Sequence, residues 1–279
     1  MNPIRPRRPS YKALILALAL LAASRPTHAA SLLPPPSGPC SLESTTRATI
    51  TKIDANLDIA LADGRTLTLA GLDPPRDTPD HPRLAADARE KIAAWLDNRD
   101  VAVRALADKP NRFGRIPARL FAAPDSAGST QIGIAEAILD AGLARYRPDA
   151  AAHPCRESLL AAESEARQAK TGLWADPAYA ILPAGERAAF ADPRTGMVLV
   201  EGTPTSLGET EARFYLNFGP RRGADFAITL PKRGANALEK AGIKVHDLVG
   251  RRLRVRGLLD VTFGPQMELT DPDSLELID

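Results

Sequence analysis

The chain holds 279 residues, 44% of them hydrophobic but only 5% aromatic, enough for one large domain or two small ones around an aliphatic core. Its 36 Lys+Arg and 34 Asp+Glu give a formal charge of +2, yet Arg5, Arg7, Arg8, Lys12 and Arg25 all fall within the first 29 residues, where there is no acid. Residues 30–279 therefore carry 31 basic against 34 acidic side chains, a net −3, so overall charge supplies no argument for nucleic-acid binding.

Residues 1–29 read as a secretory signal peptide: a basic start, the apolar run ALILALALLAA, and small residues ending at Ala29. The apolar run is short for a bilayer span. No stable membrane anchor is expected after cleavage, and the chain is expected to be exported, periplasmic or secreted. Arg7-Arg8 leaves twin-arginine export open beside the general route. Residues 30–45, which include SLLPPPSGP, read as a proline-rich tether. Cys40 and Cys155 are an even count in an exported chain and are expected to form a disulfide.

RATITKIDA, LDIALADGRTLTLAGL and VAVRALAD alternate apolar and polar residues, and Asp63-Gly64 marks a hairpin turn. PRLAADAREKIAAWLDN places Leu84, Ala88, Ile92, Trp95 and Leu96 on one helical stripe, with Arg83, Asp87, Arg89, Glu90 and Lys91 on a solvated face. FGRIPARLFA reads as a strand. IGIAEAILDAGLA and CRESLLAAESEARQAKTGLW read as helices, the second ended by Gly172. Residues 176–194 are weakly periodic and read as a linker. Residues 195–279 form a second β-rich run of five strands, with the short helix GANALEKAGI between the third and fourth. That is the order of an OB barrel. The fold class is α+β built on β-barrels: one domain at 46–175 and a smaller OB-like one at 195–279.

Four landmarks in the first half carry a resemblance. LADGRTLTLAGLDPP, NRFGRIPARLF, IAEAILDAGLARY and AAESEARQAKTGLW occur in order and at the right separations. Through them residues 46–175 resemble the staphylococcal nuclease (thermonuclease) family, an OB barrel with added helices that hydrolyses DNA and RNA with calcium. The resemblance implies five working positions. Counting back from Asp63-Gly64, one metal-binding aspartate falls on Leu57. A shift of one residue brings Asp58 there, at the expense of the inward phase of Ile59 and Leu61. The second metal aspartate corresponds to Asp73. The general base, a glutamate in the family, corresponds to Arg76, which cannot accept a proton near neutrality. Of the two phosphate-clamping arginines, one falls on Thr68 and the other is Arg115.

Asp73 and Arg115 are thus retained, and Leu57, Thr68 and Arg76 depart from the family pattern. Each retained residue also has a structural reading: Asp73 as a turn cap, Arg115 as the partner of a nearby carboxylate. Calcium is expected only if the nuclease site is active; otherwise no cofactor is implied. No Walker loop, Gly-x-Ser-x-Gly, Cys-x-x-Cys or His-Glu-x-x-His occurs. His81, His153 and His246 read as surface residues.

Three functions follow. The first is an exported thermonuclease-like protein with impaired hydrolysis and a residual binding role toward nucleic acid or another anionic polymer. The second is a working nuclease that draws its acid and base from Asp58, Asp77 or Asp80. The third is a structural envelope protein using both barrels for protein contacts. Residues 213–256 hold eleven Lys+Arg against three Asp+Glu, so a local basic patch is possible in the second half. Arg221 and Arg222 in a hairpin loop, and Arg252, Arg254 and Arg256 on one strand face, are its candidate ligand-binding residues. Phe214, Tyr215 and Phe218 stand nearby as stacking groups. Leu253, Val255 and Leu258 read as core.

Overall fold

The computed structural model describes residues 40, 45–122, 132–191 and 195–278. The segments expected to be a signal peptide and most of the tether lie outside these residues. Among the described residues no helix is long and apolar enough to cross a membrane.

The first half is a closed barrel of strands β1 (Thr46–Ile53), β2 (Asp58–Leu61), β3 (Thr66–Leu69), β5 (Asp100–Ala105) and β6 (Arg115–Ala122), in the order β1-β2-β3-β6-β5. A two-stranded pair, β4 (Leu72–Asp73) with β7 (Arg145–Tyr146), lies beside it. Ile50, Ile59, Leu67, Val103 and Leu120 fill the barrel and are essentially inaccessible. Helices α1 (Leu84–Leu96), α2 (Ile134–Asp140) and α3 (Arg156–Ala169) add Ile92, Ile138, Leu139 and Leu159 to the same core.

The expected elements are present, with two corrections. Trp95 lies at the edge of the α1 stripe and is 43% exposed; Ala88, Ile92 and Leu96 make the contact. Helix α3 ends at Lys170, which takes the left-handed conformation, and not at Gly172. Gly172 has a different task. The Leu173 amide donates to the Gly142 carbonyl, and a Cβ on Gly172 would sit 2.2 Å from that oxygen. Only glycine permits the approach.

The segment that reads as a linker is packed. It contributes β8 (Leu182–Pro183), and Tyr179, Leu182, Ala184 and Phe190 are buried. The second half follows with β9 (Met197–Gly202), β10 (Ser206–Glu209), β11 (Arg213–Asn217), β12 (Ala227–Pro231), α4 (Lys232–Lys240), β13 (Leu253–Asp260), β14 (Gln266–Glu268) and β15 (Leu275–Leu277). Its strand path is β10-β11-β12-β14-β13-β9-β8, with β15 on β13. Strands β9 and β10 are consecutive pieces interrupted at 203–205. Taken as one strand, they stand between β11 and β13, and the order becomes that of the first barrel, with β8 outside it on β9. In both halves the third and fifth barrel strands pair in parallel. Leu253 and Val255 are core as expected, but Leu258 is 69% exposed. It shares the strand parity of Arg254 and Arg256, so it faces away from that core.

The sequence reads 195–279 as a separate module; the structure joins it to the first barrel through a buried polar network. Arg256 of β13 donates to both oxygens of Glu163 on α3, at 3.1 and 2.8 Å, to Glu276 on β15 at 2.5 Å, and to the Tyr146 carbonyl at 2.8 Å. Arg256 and Glu163 have no side-chain exposure. Glu163 also accepts from the Tyr146 amide at 2.8 Å. His153 and Arg156 reach Asp273, and Arg156 donates to the Leu275 carbonyl. An apolar cluster of Ala166, Leu173, Trp174, Tyr179 and Leu199 completes the contact.

Two outcomes are expected. Cutting one partner from a buried pair leaves an uncompensated charge, so Arg256→Met should lower unfolding stability by about 3–5 kcal/mol. Burial pushes the Glu276 carboxyl up, but Arg256 and Arg254 outweigh it and hold it below its usual value. Its contribution is therefore present above the unfolded carboxylate range and lost as pH falls through the depressed folded value. Denaturant titration of the full chain measures the first, and its repetition down to about pH 3 measures the second. Separately, Cys40 and Cys155 form the expected disulfide, across 115 residues. By the chain-entropy relation its reduction should cost at most about 4–5 kcal/mol, read as a drop in denaturation midpoint.

Candidate functional site

A cleft of about 550 Å³ opens beside the first barrel, lined by the turn 55–58, Thr68, the turn 72–77, Arg115 and Arg147. It contains every position that the family resemblance singles out. The turn 72–77 is stiff because Pro74 and Pro75 fix the backbone. Tyr179 clamps it from the packed strap: its hydroxyl accepts from the Arg76 amide at 2.6 Å and donates to the Arg76 carbonyl at 3.0 Å.

Both buried carboxylates of the cleft lie beside an arginine, but only Asp73 accepts a hydrogen bond from it; Asp58 Oδ2 accepts none. Asp73, in β4, accepts from Arg145 of β7 at 2.7 Å; both side chains are buried. Arg145 in turn lies over the Tyr179 ring, 4.8 Å from its centre. Arg76 approaches the other Asp73 oxygen at 3.7 Å. Asp58 opens β2 opposite Thr68 in register and lies 2.8 Å from Arg115 Nε. Arg115 is therefore the carboxylate partner that one sequence reading allows. Asp77 accepts from the Ala85 amide at 2.9 Å, in the first turn of α1.

Leu57 and Asp58 need a joint correction. Leu57 has φ +61° and a side chain packed in the core. Asp58 enters the cleft while Ile59 and Leu61 remain in the barrel. Neighbouring residues of a strand point to opposite faces, so Asp58 reaches the site with no register shift. An inward phase for Ile59 and Leu61 is in fact what sends Asp58 out of the barrel.

Cations dominate the mouth. Arg76 is about half exposed (48% of its side chain), Arg115 is about one-third exposed, and Arg147 is exposed. No motif assigns a role to Arg145 or Arg147, although ARYRP places both on one short stretch after a helix. Asp80 does not line the cleft.

The expected patch in the second half is not assembled. Arg256 is fully buried in the network above. Arg254 pairs with Glu201 and Glu276, and Arg252 pairs with Glu201. Phe218 is core, packed on Phe226, and Phe214 lies against that core. Arg221 and Arg222 are exposed, and Tyr215 and Arg222 line a separate groove. His81 and His153 are exposed as expected, but each places Nδ1 2.7 Å from a buried aspartate, Asp176 and Asp273 respectively.

Residues 66–176 match the family described as Staphylococcal nuclease homologue. The match begins at β3 and leaves Asp58 outside it. No curated protein gives a significant match to the chain.

Burial and the neighbouring Asp54 push the Asp58 carboxyl above its ordinary value, against the pull of Thr68, Arg115 and Arg147. The folded chain thus holds this proton more tightly than the unfolded chain. Stability is lost as pH rises from the unfolded value, about 3.9, through the raised folded value. Asp58→Asn should remove that loss, so the variant gains on the wild type in denaturant titrations between about pH 3.5 and 7. A deficit that widens over this range would contradict it.

Proposed function

We propose, from the match of residues 66–176 to the family described as Staphylococcal nuclease homologue, an exported thermonuclease-like protein whose cleft holds an anionic polymer, nucleic acid first, without calcium-dependent hydrolysis. The observation that carries this reading is the buried Asp73–Arg145 pair at 2.7 Å. Calcium takes six to eight oxygen ligands and favours free carboxylates. Here Asp73 accepts from Arg145 and Asp77 from a helix amide, while Asp58 Oδ2 lies beside the Arg115 guanidinium without a hydrogen bond. With Asp73 held by Arg145 and a guanidinium beside Asp58, these residues do not present the free carboxylate pair that the ion would need. Arg76 stands where the resemblance implies the base, and a guanidinium accepts no proton.

What the cleft can do is bind. Guanidinium groups meet phosphate through paired N–H donors. Arg76 and Arg147 are placed for this at the mouth, with Arg115 behind them. Export is supported by the disulfide, since such bonds persist in oxidising compartments. A second reading, metal-independent residual cleavage with Asp58 as base, is favoured by its raised carboxyl. The Arg115 Nε beside its Oδ2 opposes it.

The test uses the full chain with plasmid DNA and RNA, in calcium and in chelator, followed by binding of single-stranded DNA over a salt series. General acid–base help alone is worth about 10²–10⁴-fold, so cleavage should lie near background in both buffers. Binding should weaken with a slope of about −2 in log K against log salt for three phosphate contacts, and should fall in Arg76→Glu with Arg147→Glu. Strong cleavage stopped by chelator and by Asp73→Ala would overturn the reading. Chelator-resistant cleavage lost in Asp58→Asn would establish the second.

A further inference from the structure

The second half carries a groove of its own, of about 710 Å³, across the outer face of β10, β11, β12 and β14. This is within the range of small-molecule sites, about 300–1,000 Å³. Strand alternation builds it. Leu216, Ile228 and Met267 face the core, so Tyr215, Asn217, Thr229 and Gln266 line the groove.

Phe263 stands on its rim at the tip of the β13–β14 hairpin and is 83% exposed. Leu258 and Val261 extend the exposed apolar surface of that hairpin. The ring is presented by a fixed tip. Gly264 has φ +105°, and a Cβ there would sit 2.1 Å from the Gly223 carbonyl, so the hairpin backbone packs directly on the neighbouring turn. An exposed aromatic held in this way costs little ordering when a ligand arrives.

The charges exclude the ligand expected from the arginine count. Glu209, Asp225, Asp260 and Glu268 line the groove against Arg213 and Arg222. Three of these carboxylates already have cations: Glu268 has Arg213 at 2.5 Å, Glu209 has Lys232 at 2.7 Å, and Asp225 has Arg187 at 2.5 Å. Asp260 accepts from Gln266 at 3.2 Å and from the Thr262 amide. The surface is dense in donors and acceptors but offers no net positive charge to a polyanion.

We propose that this groove binds a neutral oligosaccharide, with Phe263 and Tyr215 as stacking platforms and the Arg213–Glu268 and Asp260–Gln266 pairs as hydroxyl partners. The C–H face of a pyranose ring is apolar and covers an aromatic ring, while its equatorial hydroxyls both donate and accept. Paired carboxylates suit it, because each retains lone pairs for a hydroxyl without needing to be neutralised. The site is separate from the arginine-lined cleft, so either can fail alone.

The experiment is calorimetric titration of the full chain with cellohexaose, maltohexaose and chitohexaose, each at about 50 and 300 mM salt, beside single-stranded DNA and oligolysine as controls. At least one sugar should bind saturably, with affinity changing less than twofold between the two salts. Phe263→Ala removes no core contact and should reduce that affinity tenfold or more, with circular dichroism unchanged. Arg76→Glu should leave it alone. Absence of binding by all three sugars overturns the proposal, as does sugar binding indifferent to Phe263→Ala. Saturable oligolysine binding lost in Phe263→Ala, with no sugar bound, assigns the groove to a basic peptide instead and equally overturns it.

Discussion

A carboxylate withdrawn from water must find a cation or a set of donors, and the fold of this chain turns on where those partners come from. Glu163 is the deepest case, fully buried on α3 and held by both terminal nitrogens of Arg256 from the other half of the chain. Burying either alone is prohibitive, since desolvating an ion costs several kcal/mol even after relaxation. The two barrels therefore support each other's charges, and residues 176–191 between them pack as a strap. Arg256 also lies over the Tyr146 ring, 5.0 Å from its centre. Tyr146 sits next to Arg145, so the inter-barrel network and the cleft meet on β7.

The same constraint shapes the cleft. Asp73 and Asp58 are buried, and each lies beside an arginine: Arg145 on the paired strand β7, and Arg115 on β6, one strand beyond β3. A hydrolytic site with a divalent cation needs carboxylates whose partner is the cation itself. Once a guanidinium takes that place, the carboxylates become part of the scaffold and the remaining exposed arginines define the chemistry. The anion binding proposed for Arg76 and Arg147 and the absence of a proton acceptor at residue 76 then rest on one arrangement. In the second half, ion pairing consumes Arg252, Arg254 and Arg256, and what remains at the surface is a groove lined by aromatic and paired polar side chains.

Local patterns in the sequence carried the first barrel well. Asp63-Gly64 marks its hairpin, the alternation of Ile59, Leu61, Leu67 and Leu69 sets its strands, and the even cysteine count gives the Cys40–Cys155 bond. The OB order of the second half was legible from the place of its helix. What was not legible is pairing across long separations. Arg256 and Glu163 are 93 residues apart, Arg145 and Asp73 are 72 apart, and neither pair leaves a local trace. An arginine on alternate strand positions looks the same whether water or a buried glutamate waits beyond it. Asp58 is a different case: the inward phase of Ile59 and Leu61 speaks against it only under a register shift, whereas strand alternation by itself places it in the cleft. Phe263 has no periodic neighbours and is marked only by its exposure at a hairpin tip.

The most direct measurement is calcium titration of the purified chain by isothermal calorimetry, in parallel with Arg145→Met, which frees the Asp73 carboxylate. If arginines occupy the carboxylates, the wild type gives no saturable heat at millimolar calcium. Saturable submillimolar binding to the wild type, abolished by Asp73→Ala, would contradict the arginine-locked cleft.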